Sequence, residues 1–341
     1  MLSAVYQLRS PRQFEITFQD ITVDDSNVIV RPTYLSICNA DQRYYQGLRP
    51  KEILRQKLPM ALVHEGIGEV VYDPTGTFTR GEAVVMIPNQ PIKDDDIIAE
   101  NYLRSSKFSG SSMDGFMQEY IKVAADRLVS LPANINKKVA AFTELVSVSF
   151  HAILRFEEIA HTRRERIGVW GDGNLGYITA LLLKKRFPES EVVVMGMEEN
   201  KLSDFTFADE TILVNQIPAD IQLDHAFECV GGNASSKAIN QIIDYLKPEG
   251  TIAILGVSED LALLNTRMIL EKGLRVFGTS RSGRSDFEGL IKLWEACPEI
   301  IDYLENLVGS VITVRKVSDM VKAFETDIHK VIGKTIMVWE K

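Results

Sequence analysis

The segment at residues 167–176 reads Ile-Gly-Val-Trp-Gly-Asp-Gly-Asn-Leu-Gly and carries the strongest fold signal in the chain. It begins as a short apolar run, typical of a buried strand, and a helical pattern follows over 175–187. Glycines in the order Gly-x-Gly-x-x-Gly between a strand and a helix are typical of a loop that binds a dinucleotide pyrophosphate. Gly171 would allow the tight turn, Gly173 the close approach of backbone to phosphate, and Gly176 the contact between helix and strand. The predicted cofactor loop consists of Gly171, Gly173, Asn174, Leu175 and Gly176. The alternative is a loop whose glycines serve packing alone.

The segments around this loop predict the fold class. Beyond residue 142, short β-branched apolar runs alternate with helical patterns, and the runs lie at 167–170, 192–195, 225–230, 251–256 and 274–278. This alternation predicts an α/β fold with a doubly wound parallel sheet, the Rossmann dinucleotide-binding arrangement. The residues before it are β-rich, and the last forty return to strand-like runs around one helix. We expect a catalytic domain at 1–147, completed by 293–341, and a dinucleotide-binding domain at 148–292.

The composition narrows the possible functions. The chain has 341 residues, of which 45% are hydrophobic and 25% charged, as in ordinary globular proteins. Its net charge of −9 argues against nucleic acid and anionic membranes as partners. No apolar run is long enough to span a membrane, and the N-terminus lacks the pattern of a secretory signal. The three cysteines are too few and too scattered for a disulfide framework. We therefore expect a cytoplasmic protein.

The end of the second predicted strand bears on which nicotinamide cofactor is used. Enzymes that bind NAD usually carry an acidic residue there, which holds the ribose 2′-hydroxyl. Here that position is Gly196, and Lys201 follows shortly after. A missing carboxylate removes repulsion toward a 2′-phosphate, and a nearby ammonium group could pair with it. Glu198 and Glu199 argue the other way, and Lys201 could equally be an exposed helix lysine. We predict NADP.

Separated segments of the first domain supply side chains that suit a metal ion. Cys38 follows an apolar strand, and His64 and Glu65 precede a Gly-x-Gly turn. Glu144 lies in an apolar stretch near the domain junction. A thiolate, an imidazole and carboxylates are appropriate zinc ligands, and a catalytic zinc keeps one position open. Each residue also has a structural interpretation, as a core cysteine, a turn histidine or a charge at a helix start.

Several motifs together indicate a family. They are Cys-Asn-Ala-Asp at 38–41, His-Glu-Gly-Ile-Gly-Glu-Val at 64–70, Gly-Glu-Ala-Val at 81–84, and Glu-Leu-Val-Ser-Val-Ser-Phe-His-Ala at 144–152. With the glycine loop, they make the sequence resemble the zinc-dependent medium-chain alcohol and polyol dehydrogenases over essentially its whole length. The resemblance implies a GroES-like β-barrel for the catalytic domain. It also places Cys38, His64 and Glu144 at the zinc-ligand positions.

Glu65 takes the adjacent position, which by resemblance ligates zinc directly or stands behind the ligands. Cys38 and Glu144 together neutralise Zn²⁺, which leaves a bound carbonyl polarised. If Glu65 also ligated, the site would be net negative and a weaker Lewis acid. We therefore expect Glu65 to give way to substrate.

Two departures from the family pattern matter. Many relatives bind a second, structural zinc through four closely spaced cysteines, but residues 88–112 of this chain contain none. We predict one catalytic zinc and no structural zinc. Relatives also commonly carry Ser or Thr two residues after the cysteine as a proton relay, whereas this chain has Ala40. The proton must travel by water, by Tyr44 or by another group.

A closer resemblance comes from the segment Asn-Tyr-Leu-Arg-Ser-Ser-Lys-Phe at 101–108. It resembles the ribulose-5-phosphate reductases, which use NADPH and supply CDP-ribitol synthesis for teichoic acids and capsules. The resemblance implies a sugar phosphate substrate, a homodimer, and ribitol-5-phosphate cytidylyltransferase as the pathway partner. A phosphate dianion in so acidic a protein needs local cations. The candidates are Arg104, Lys107, Arg281 and Arg284, with Arg43 as a further one, and each could instead be a surface cation.

Two other functions stay open from the sequence. The first is a zinc-dependent dehydrogenase of an unphosphorylated polyol or sugar; activity with ribulose 5-phosphate but none with ribulose would separate it from a ribulose-5-phosphate reductase. The second is a nucleotide-binding protein without chemistry, which bound NADPH without zinc would indicate. A binding module has no need of Cys38, His64 and Glu144 together, and this argues against the second.

Overall fold

The computed structural model describes residues 1–330 and 332–341, which divide into two compact units. The first unit comprises Met1–Leu145 and Ser282–Lys341, and the second comprises Val146–Arg281. The strands are β1 (Leu2–Ser10), β2 (Gln13–Asp20), β3 (Asn27–Ser36), β4 (Met60–Ala61), β5 (Glu65–Tyr72), β6 (Ala83–Met86), β7 (Asn89–Gln90), β8 (Lys107–Phe108), β9 (Ile121–Ala124), β10 (Leu128–Ser130), β11 (Arg166–Trp170), β12 (Glu191–Gly196), β13 (Glu210–Leu213), β14 (Leu223–Glu228), β15 (Leu246–Ile254), β16 (Arg275–Gly278), β17 (Val308–Val314) and β18 (Lys334–Trp339). The α-helices are α1 (Asn39–Tyr45), α2 (Lys51–Lys57), α3 (Lys137–Ala140), α4 (Thr143–Ile159), α5 (Asn174–Arg186), α6 (Glu199–Leu202), α7 (Ser235–Tyr245), α8 (Thr266–Glu271), α9 (Arg284–Ala296), α10 (Glu299–Glu305) and α11 (Val317–Ile328). No helix within the described residues is both long and apolar enough to cross a membrane.

The second unit is built on a six-stranded parallel sheet. Its strand order is β13-β12-β11-β14-β15-β16, with every pairing parallel. The strands read as apolar runs because both sheet faces are covered, and Val192, Val193 and Val194 are fully buried. Trp170 at the end of β11 lies opposite Met195 in β12. The glycine loop therefore begins beside the end of β12, where Gly196 stands. The predicted doubly wound α/β fold is confirmed.

The first unit is built mainly on antiparallel sheets. Its largest sheet has the order β10-β6-β5-β3-β18-β17, with β9 also paired to β3. A smaller sheet has the order β2-β1-β4, and β7 pairs with β8. The C-terminal β18 runs antiparallel to β3, with Ile336 opposite Ser36 and Val338 opposite Tyr34. The last strands of the chain thus belong to the same sheet as the strand that leads to Cys38.

Aromatic packing ties the start and the end of the chain into one core. Tyr45 in α1 stacks on Phe324 in α11 with ring centroids 4.6 Å apart, and Phe14 in β2 packs against both. Tyr45 and Phe324 are fully buried, and complete burial of an aromatic side chain contributes roughly 1.5–3 kcal/mol. Trp339 adds an indole N–H that donates to the carbonyl of Gln118 at 2.8 Å. This core fixes α1, whose N-terminus carries Cys38.

The second boundary between the units differs from the one predicted from sequence. The sequence texture placed it between residues 292 and 293, whereas the structure places it between Arg281 and Ser282. The reason is the N-terminus of α9, where the backbone N–H of Arg284 donates to Glu100 Oε1 at 2.6 Å. Because α9 is held there by a side chain of the first unit, the whole helix is part of that unit. The helical pattern of α9 alone could not indicate which unit it packs in.

Candidate functional site

Cys38 is held at the junction between β3 and α1. It is the N-cap of α1, with extended backbone angles of φ −100° and ψ 155°. Its backbone N–H donates to Asp41 Oδ2 at 3.0 Å. On its other side, Ile37 N–H donates to the carbonyl of Thr335 at 3.1 Å. A carboxylate at the third helical position also suits the positive end of the helix dipole. The cap of α1 therefore fixes the backbone position from which the thiol of Cys38 extends.

His64 and Glu65 follow a strained residue. Val63 has a φ of +71°, which a β-branched residue rarely adopts. Its backbone N–H donates to Asp41 Oδ1 at 3.0 Å, and its carbonyl accepts from Phe116 N–H at 2.7 Å. These two hydrogen bonds, one before and one after the Cα atom of Val63, hold its backbone conformation in place. Strain that is held by its surroundings is common at functional sites.

Three of the predicted metal ligands come together in the structure. One ligand atom each from Cys38, His64 and Glu65 lies within 4.8 Å of the other two. His64 and Glu65 are buried and Cys38 is half-buried. A thiolate, an imidazole nitrogen and a carboxylate oxygen at this spacing are a donor set that suits Zn²⁺. We call these three residues the ligand group.

Asp41 orients the imidazole of this group. Its Oδ1 lies 3.4 Å from His64 Nδ1, so Nε2 is the ring nitrogen left for a metal. Burial of His64 disfavours its charged form, but the charges of Asp41 and Cys38 outweigh burial and raise its pKa well above the usual value. A carboxylate behind a metal-binding histidine is a common arrangement that fixes the ring tautomer.

Glu144 lies beside the ligand group without joining it at the same close spacing. It is buried in the first turn of α4. The pKa of Glu144 is raised to about 7, mainly because the carboxyl is buried; the charge of His64 lowers it, the charge of Glu65 raises it and that of Lys334 lowers it. The carboxyl of Glu144 is therefore close enough for the charges of His64 and Glu65 to change its pKa. A bound cation would favour its ionised form.

Glu65 is paired with a buried lysine. Lys334 Nζ lies 2.8 Å from each carboxylate oxygen of Glu65. The exposed fraction is 0% for Glu65 and 3% for Lys334. Burial works against the charged form of Lys334, but Glu65 and Cys38 outweigh it and raise the lysine pKa. Lys334 thus supplies a positive charge directly behind a predicted ligand.

The segment 101–108 borders the ligand group. The ring centroid of Phe108 lies 5.4 Å from that of His64. The segment is anchored by Glu100, whose carboxylate accepts two hydrogen bonds from Arg127 Nη1 at 3.0 and 3.1 Å. Arg127 is buried, whereas the side chain of Glu100 is 24% exposed, so water reaches this ion pair from the Glu100 side alone. A protein ion pair therefore anchors the stretch that in many relatives is built around four cysteines.

The predicted phosphate-binding cations differ in their surroundings. Arg104 and Lys107 are exposed on the segment next to Phe108. Arg284 Nε donates to Glu288 Oε1 at 2.7 Å, so this guanidinium already has a carboxylate partner. Arg281 is half-buried in the second unit, with a φ of +61°. Arg43 is half-buried on α1. Of these cations, Arg104 and Lys107 belong to the segment that contacts the ligand group.

The glycine loop lines a cavity of about 240 Å³ in the second unit. Gly171, Gly173 and Gly196 are among its lining residues. Gly171 has a φ of +129°, and a Cβ on Gly176 would lie 1.9 Å from the carbonyl oxygen of Gly171. A Cβ on Gly173 would meet nothing within 4 Å. These features suit the roles predicted for the three glycines of the loop.

Asn174 and Leu175 begin α5 next to this cavity but do not line it. Lys201 does not line it either, and its ammonium pairs with Glu198. The cavity is lined instead by residues to which the sequence patterns gave no role, among them Asp172, Lys237 and Gln241. Gln241 Oε1 accepts from Trp170 Nε1 at 3.3 Å, and its Nε2 donates to the carbonyl of Val214 at 3.2 Å. These bonds fix one wall of the cavity.

The surroundings of Gly196 contain a negative charge that the sequence at this position did not indicate. A Cβ placed there would lie 2.9 Å from Asp172 Oδ2 and 2.7 Å from a methyl of Leu202. Asp172 Oδ2 accepts from the backbone N–H groups of Met197 at 2.6 Å and Glu198 at 2.9 Å. A carboxylate from the glycine loop therefore stands beside the end of β12. Nothing in the local sequence at 196 could reveal it.

Comparisons with known proteins place these features in a family. The alcohol dehydrogenase GroES-like domain matches residues 24–133, and the zinc-binding dehydrogenase model matches residues 191–296. The chain is 54% identical over 340 residues to a ribulose-5-phosphate reductase of Bacillus spizizenii, covering 100% of both chains. It is 45% identical to a ribulose-5-phosphate reductase of Streptococcus pneumoniae, covering 100% of this chain and 98% of that one.

A solved structure agrees with the sequence relatives. The crystal structure of S. aureus TarJ in complex with NADPH superposes with a TM-score of 0.91 at 47% identity, and 100% of both chains is covered. The GroES-like fold predicted for the catalytic domain is confirmed by the family match and by this structure. The chain therefore belongs to the zinc-dependent medium-chain dehydrogenase/reductase family, in which its relatives include the ribulose-5-phosphate reductases.

Proposed function

We propose that this chain reduces D-ribulose 5-phosphate to D-ribitol 5-phosphate, with NADPH as hydride donor and one catalytic zinc ion. The observation that carries the proposal is the ligand group in a chain 54% identical over its full length to a ribulose-5-phosphate reductase. By its chemistry the product would serve CDP-ribitol synthesis for teichoic acid or capsule. Ribitol-5-phosphate cytidylyltransferase would then act next, in the cytoplasm, where NADPH and sugar phosphates are available.

The residues present suit zinc. Cys38, His64 and Glu144 would hold the ion, with Glu65 as an alternative or additional ligand. The close spacing of Cys38, His64 and Glu65 supports a metal ion here, and the charges of His64 and Glu65 act on the buried Glu144 beside them. When bound, zinc supplies a Lewis acid for the C2 carbonyl, and NADPH supplies the hydride.

The protein's own residues prepare this site. Asp41 holds His64 in one orientation, as the 3.4 Å approach to Nδ1 indicates. Lys334 neutralises Glu65, so the charges of Cys38 and Glu144 are those that remain to balance a divalent cation. The site then carries no excess negative charge that would weaken the Lewis acid. Because Lys334 gives the Glu65 carboxylate a partner other than the metal, this pair supports the expectation that Glu65 gives way to substrate.

The proton required by the product is proposed to come through water. Ala40 has no hydroxyl, and Tyr44 belongs to the hydrophobic core of the first unit. Its ring faces the Arg49 guanidinium, whose carbon lies 5.1 Å from the ring centroid. A buried tyrosine in this setting is accounted for by packing.

We expect one tightly held zinc per chain. The segment 88–112 has no thiolates, and an ion pair between the buried Arg127 and the half-buried Glu100 anchors it in their place. Within residues 1–330 and 332–341, no second group of three metal-binding side chains comes together. Elemental analysis of the purified protein after gel filtration should give a zinc-to-chain ratio of about one. A ratio of two that persists after mild chelation would contradict this expectation.

Arg104 and Lys107 are proposed to hold the substrate phosphate, with Arg281 and Arg284 as weaker candidates. Replacing Arg104 with alanine should raise the KM for ribulose 5-phosphate about 10- to 150-fold, because a charge-assisted pair contributes roughly 1.5–3 kcal/mol. The KM for NADPH should change by less than about twofold, since the substitution removes no group that contacts the dinucleotide. Steady-state kinetics with each substrate varied in turn measures both values.

A matched control comes from a neighbouring loop. Lys93 is an exposed cation outside the segment that contacts His64, so Lys93→Ala should leave both KM values unchanged. If Arg104→Ala and Lys107→Ala both keep the wild-type KM for the sugar phosphate, the phosphate is held elsewhere. Arg43, Arg281 and Arg284 would then be tested in the same way.

The cofactor assignment is NADPH. The TarJ relative was solved with NADPH, and here Gly171, Gly173 and Gly196 line one cavity at the ends of β11 and β12. Asn174, Leu175 and Gly176 form the start of α5, whose free backbone N–H groups favour a bound pyrophosphate. Lys201, paired with Glu198, is a weaker candidate for the 2′-phosphate than the sequence indicated.

A homodimer is part of the proposal. β16 is an edge strand of the parallel sheet, and its unpaired backbone groups are available to another strand. Large apolar side chains are exposed close to it in sequence, namely Leu261, Leu263, Leu270 and Val276. An exposed edge with apolar neighbours supports association with a second copy of this chain.

One assay tests the function. NADPH oxidation is followed with D-ribulose 5-phosphate, D-ribulose, D-xylulose 5-phosphate and D-fructose at equal concentrations. We expect activity with ribulose 5-phosphate that exceeds the activity with ribulose by at least about 100-fold, the contribution of a phosphate held by two cations. Preference for an unphosphorylated sugar would instead support a polyol dehydrogenase. NADPH binding without turnover of any of these sugars would support a non-catalytic role.

A further inference from the structure

The cavity beside the glycine loop is lined by a lysine side chain, that of Lys237, to which no function has been assigned. Two of its lining residues are charged, Asp172 and Lys237. The carboxylate of Asp172 is turned toward backbone N–H groups of the loop after β12. Lys237 is exposed, and within the described part of the chain its ammonium group has no ion pair and no hydrogen bond. It is therefore available to a ligand.

The position of Lys237 on α7 directs it to the same cavity as Gly196. Lys237 lies one helical turn before Gln241, so both side chains share a face of α7. Gln241 is fixed in the cavity wall by its bonds to Trp170 and Val214. The same cavity is also lined by Met195 and Gly196 at the end of β12, where the adenosine ribose lies in dinucleotide-binding sheets of this strand order.

Stability does not explain a lysine at this position. Lys237 stands in the first turn of α7, where the helix dipole disfavours a positive charge. No acidic residue stands in that turn to offset it. A residue that opposes the local helix dipole, with no neighbouring charge to offset it, is typical of a functional position.

We propose that Lys237 binds the 2′-phosphate of NADPH and is the residue that sets the preference for NADPH over NADH. The inference rests on the proposed use of NADPH. A phosphate bound between Gly196 and Lys237 would meet the one ammonium group that lines the cavity among the described residues, and that group would offset the adjacent charge of Asp172. Lys201, by contrast, keeps its pair with Glu198.

Direct binding measurements on the zinc-loaded protein test this. Dissociation constants for NADPH, NADH, 2′,5′-ADP and 5′-AMP are measured by calorimetry or nucleotide fluorescence for wild type, Lys237→Ala, Lys237→Arg and Lys201→Ala. Lys237→Ala should weaken NADPH and 2′,5′-ADP about 10- to 100-fold, as expected for loss of a charge-assisted pair, and change NADH and 5′-AMP less than about twofold. Lys237→Arg should keep the preference, and Lys201→Ala should behave as wild type.

The outcomes separate this inference from the proposed function. If wild type prefers NADPH and Lys237→Ala keeps that preference, the role of Lys237 is refuted while NADPH use stands. An equal loss for NADH and NADPH would also overturn it, because it would indicate a general effect on the cavity. If wild type binds NADH as tightly as NADPH, the proposed cofactor is wrong, and the role of Lys237 fails with it.

Discussion

Replacing Cys38 with serine is expected to lower kcat/KM for ribulose 5-phosphate reduction by at least about 1000-fold. A metal Lewis acid contributes several kcal/mol to stabilising developing charge, and about 4 kcal/mol corresponds to that factor. Serine removes the thiolate from the ligand group, which has Cys38 within 4.8 Å of His64 and Glu65. Steady-state kinetics gives the activity, and elemental analysis of the same sample gives its zinc content.

Two comparisons make the Cys38→Ser result specific. Cys297 is a half-buried cysteine outside the ligand group, so Cys297→Ser should retain both zinc and activity. NADPH affinity should survive in Cys38→Ser, since the glycine-loop cavity is lined entirely by residues of the second unit. A Cys38→Ser enzyme that holds zinc and keeps more than about a tenth of wild-type activity would contradict the assignment, because loss of a metal ligand costs far more than tenfold.

Replacing Lys334 with methionine is expected to have the second large effect, on stability. Methionine is similar in size but leaves the carboxylate of Glu65 buried without its partner, which is 2.8 Å away in the native protein. Removing one member of a buried ion pair typically costs about 3–5 kcal/mol in the free energy of unfolding. Urea denaturation of the zinc-depleted protein, followed by tryptophan fluorescence and circular dichroism, measures the change.

The double variant provides the control for Lys334. Glu65→Gln with Lys334→Met removes both charges, so it should be more stable than Lys334→Met alone by about 1–3 kcal/mol, the usual size of coupling between contacting residues. If Lys334→Met unfolds at the same urea concentration as wild type, the pair contributes nothing to folding. Lys334 would then not be the group that neutralises Glu65.

The fold could be predicted where it depends on local patterns. Buried parallel strands must be apolar along their length, so β11, β12 and β14 were visible as runs, and the glycine loop marked the turn between β11 and α5. The side chains of the metal site were also visible, because Cys38 and the His64–Glu65 pair stand in motifs.

What the sequence could not provide were partners distant along the chain. Lys334 is 269 residues from Glu65, and no local pattern connects them. Asp41 could have been found, since a carboxylate three residues after an N-cap is a recognised signal, yet its contact with His64 depends on how β5 folds back. Asp172 and Gly196 are a second example. Gly196 has no carboxylate of its own, but the carboxylate of Asp172, from the glycine loop, lies beside it.

The most direct test of the central claim is the identity of the product formed with labelled cofactor. The zinc-loaded protein is incubated with D-ribulose 5-phosphate and NADPH carrying two deuterium atoms at C4, and the product is analysed by mass spectrometry and NMR. We expect ribitol 5-phosphate that carries one deuterium, bonded to C2, and no such product from protein stripped of zinc. A product without deuterium at C2 would contradict hydride transfer from NADPH to the C2 carbonyl. Undiminished formation of the labelled product by the zinc-free protein would contradict the catalytic role of zinc.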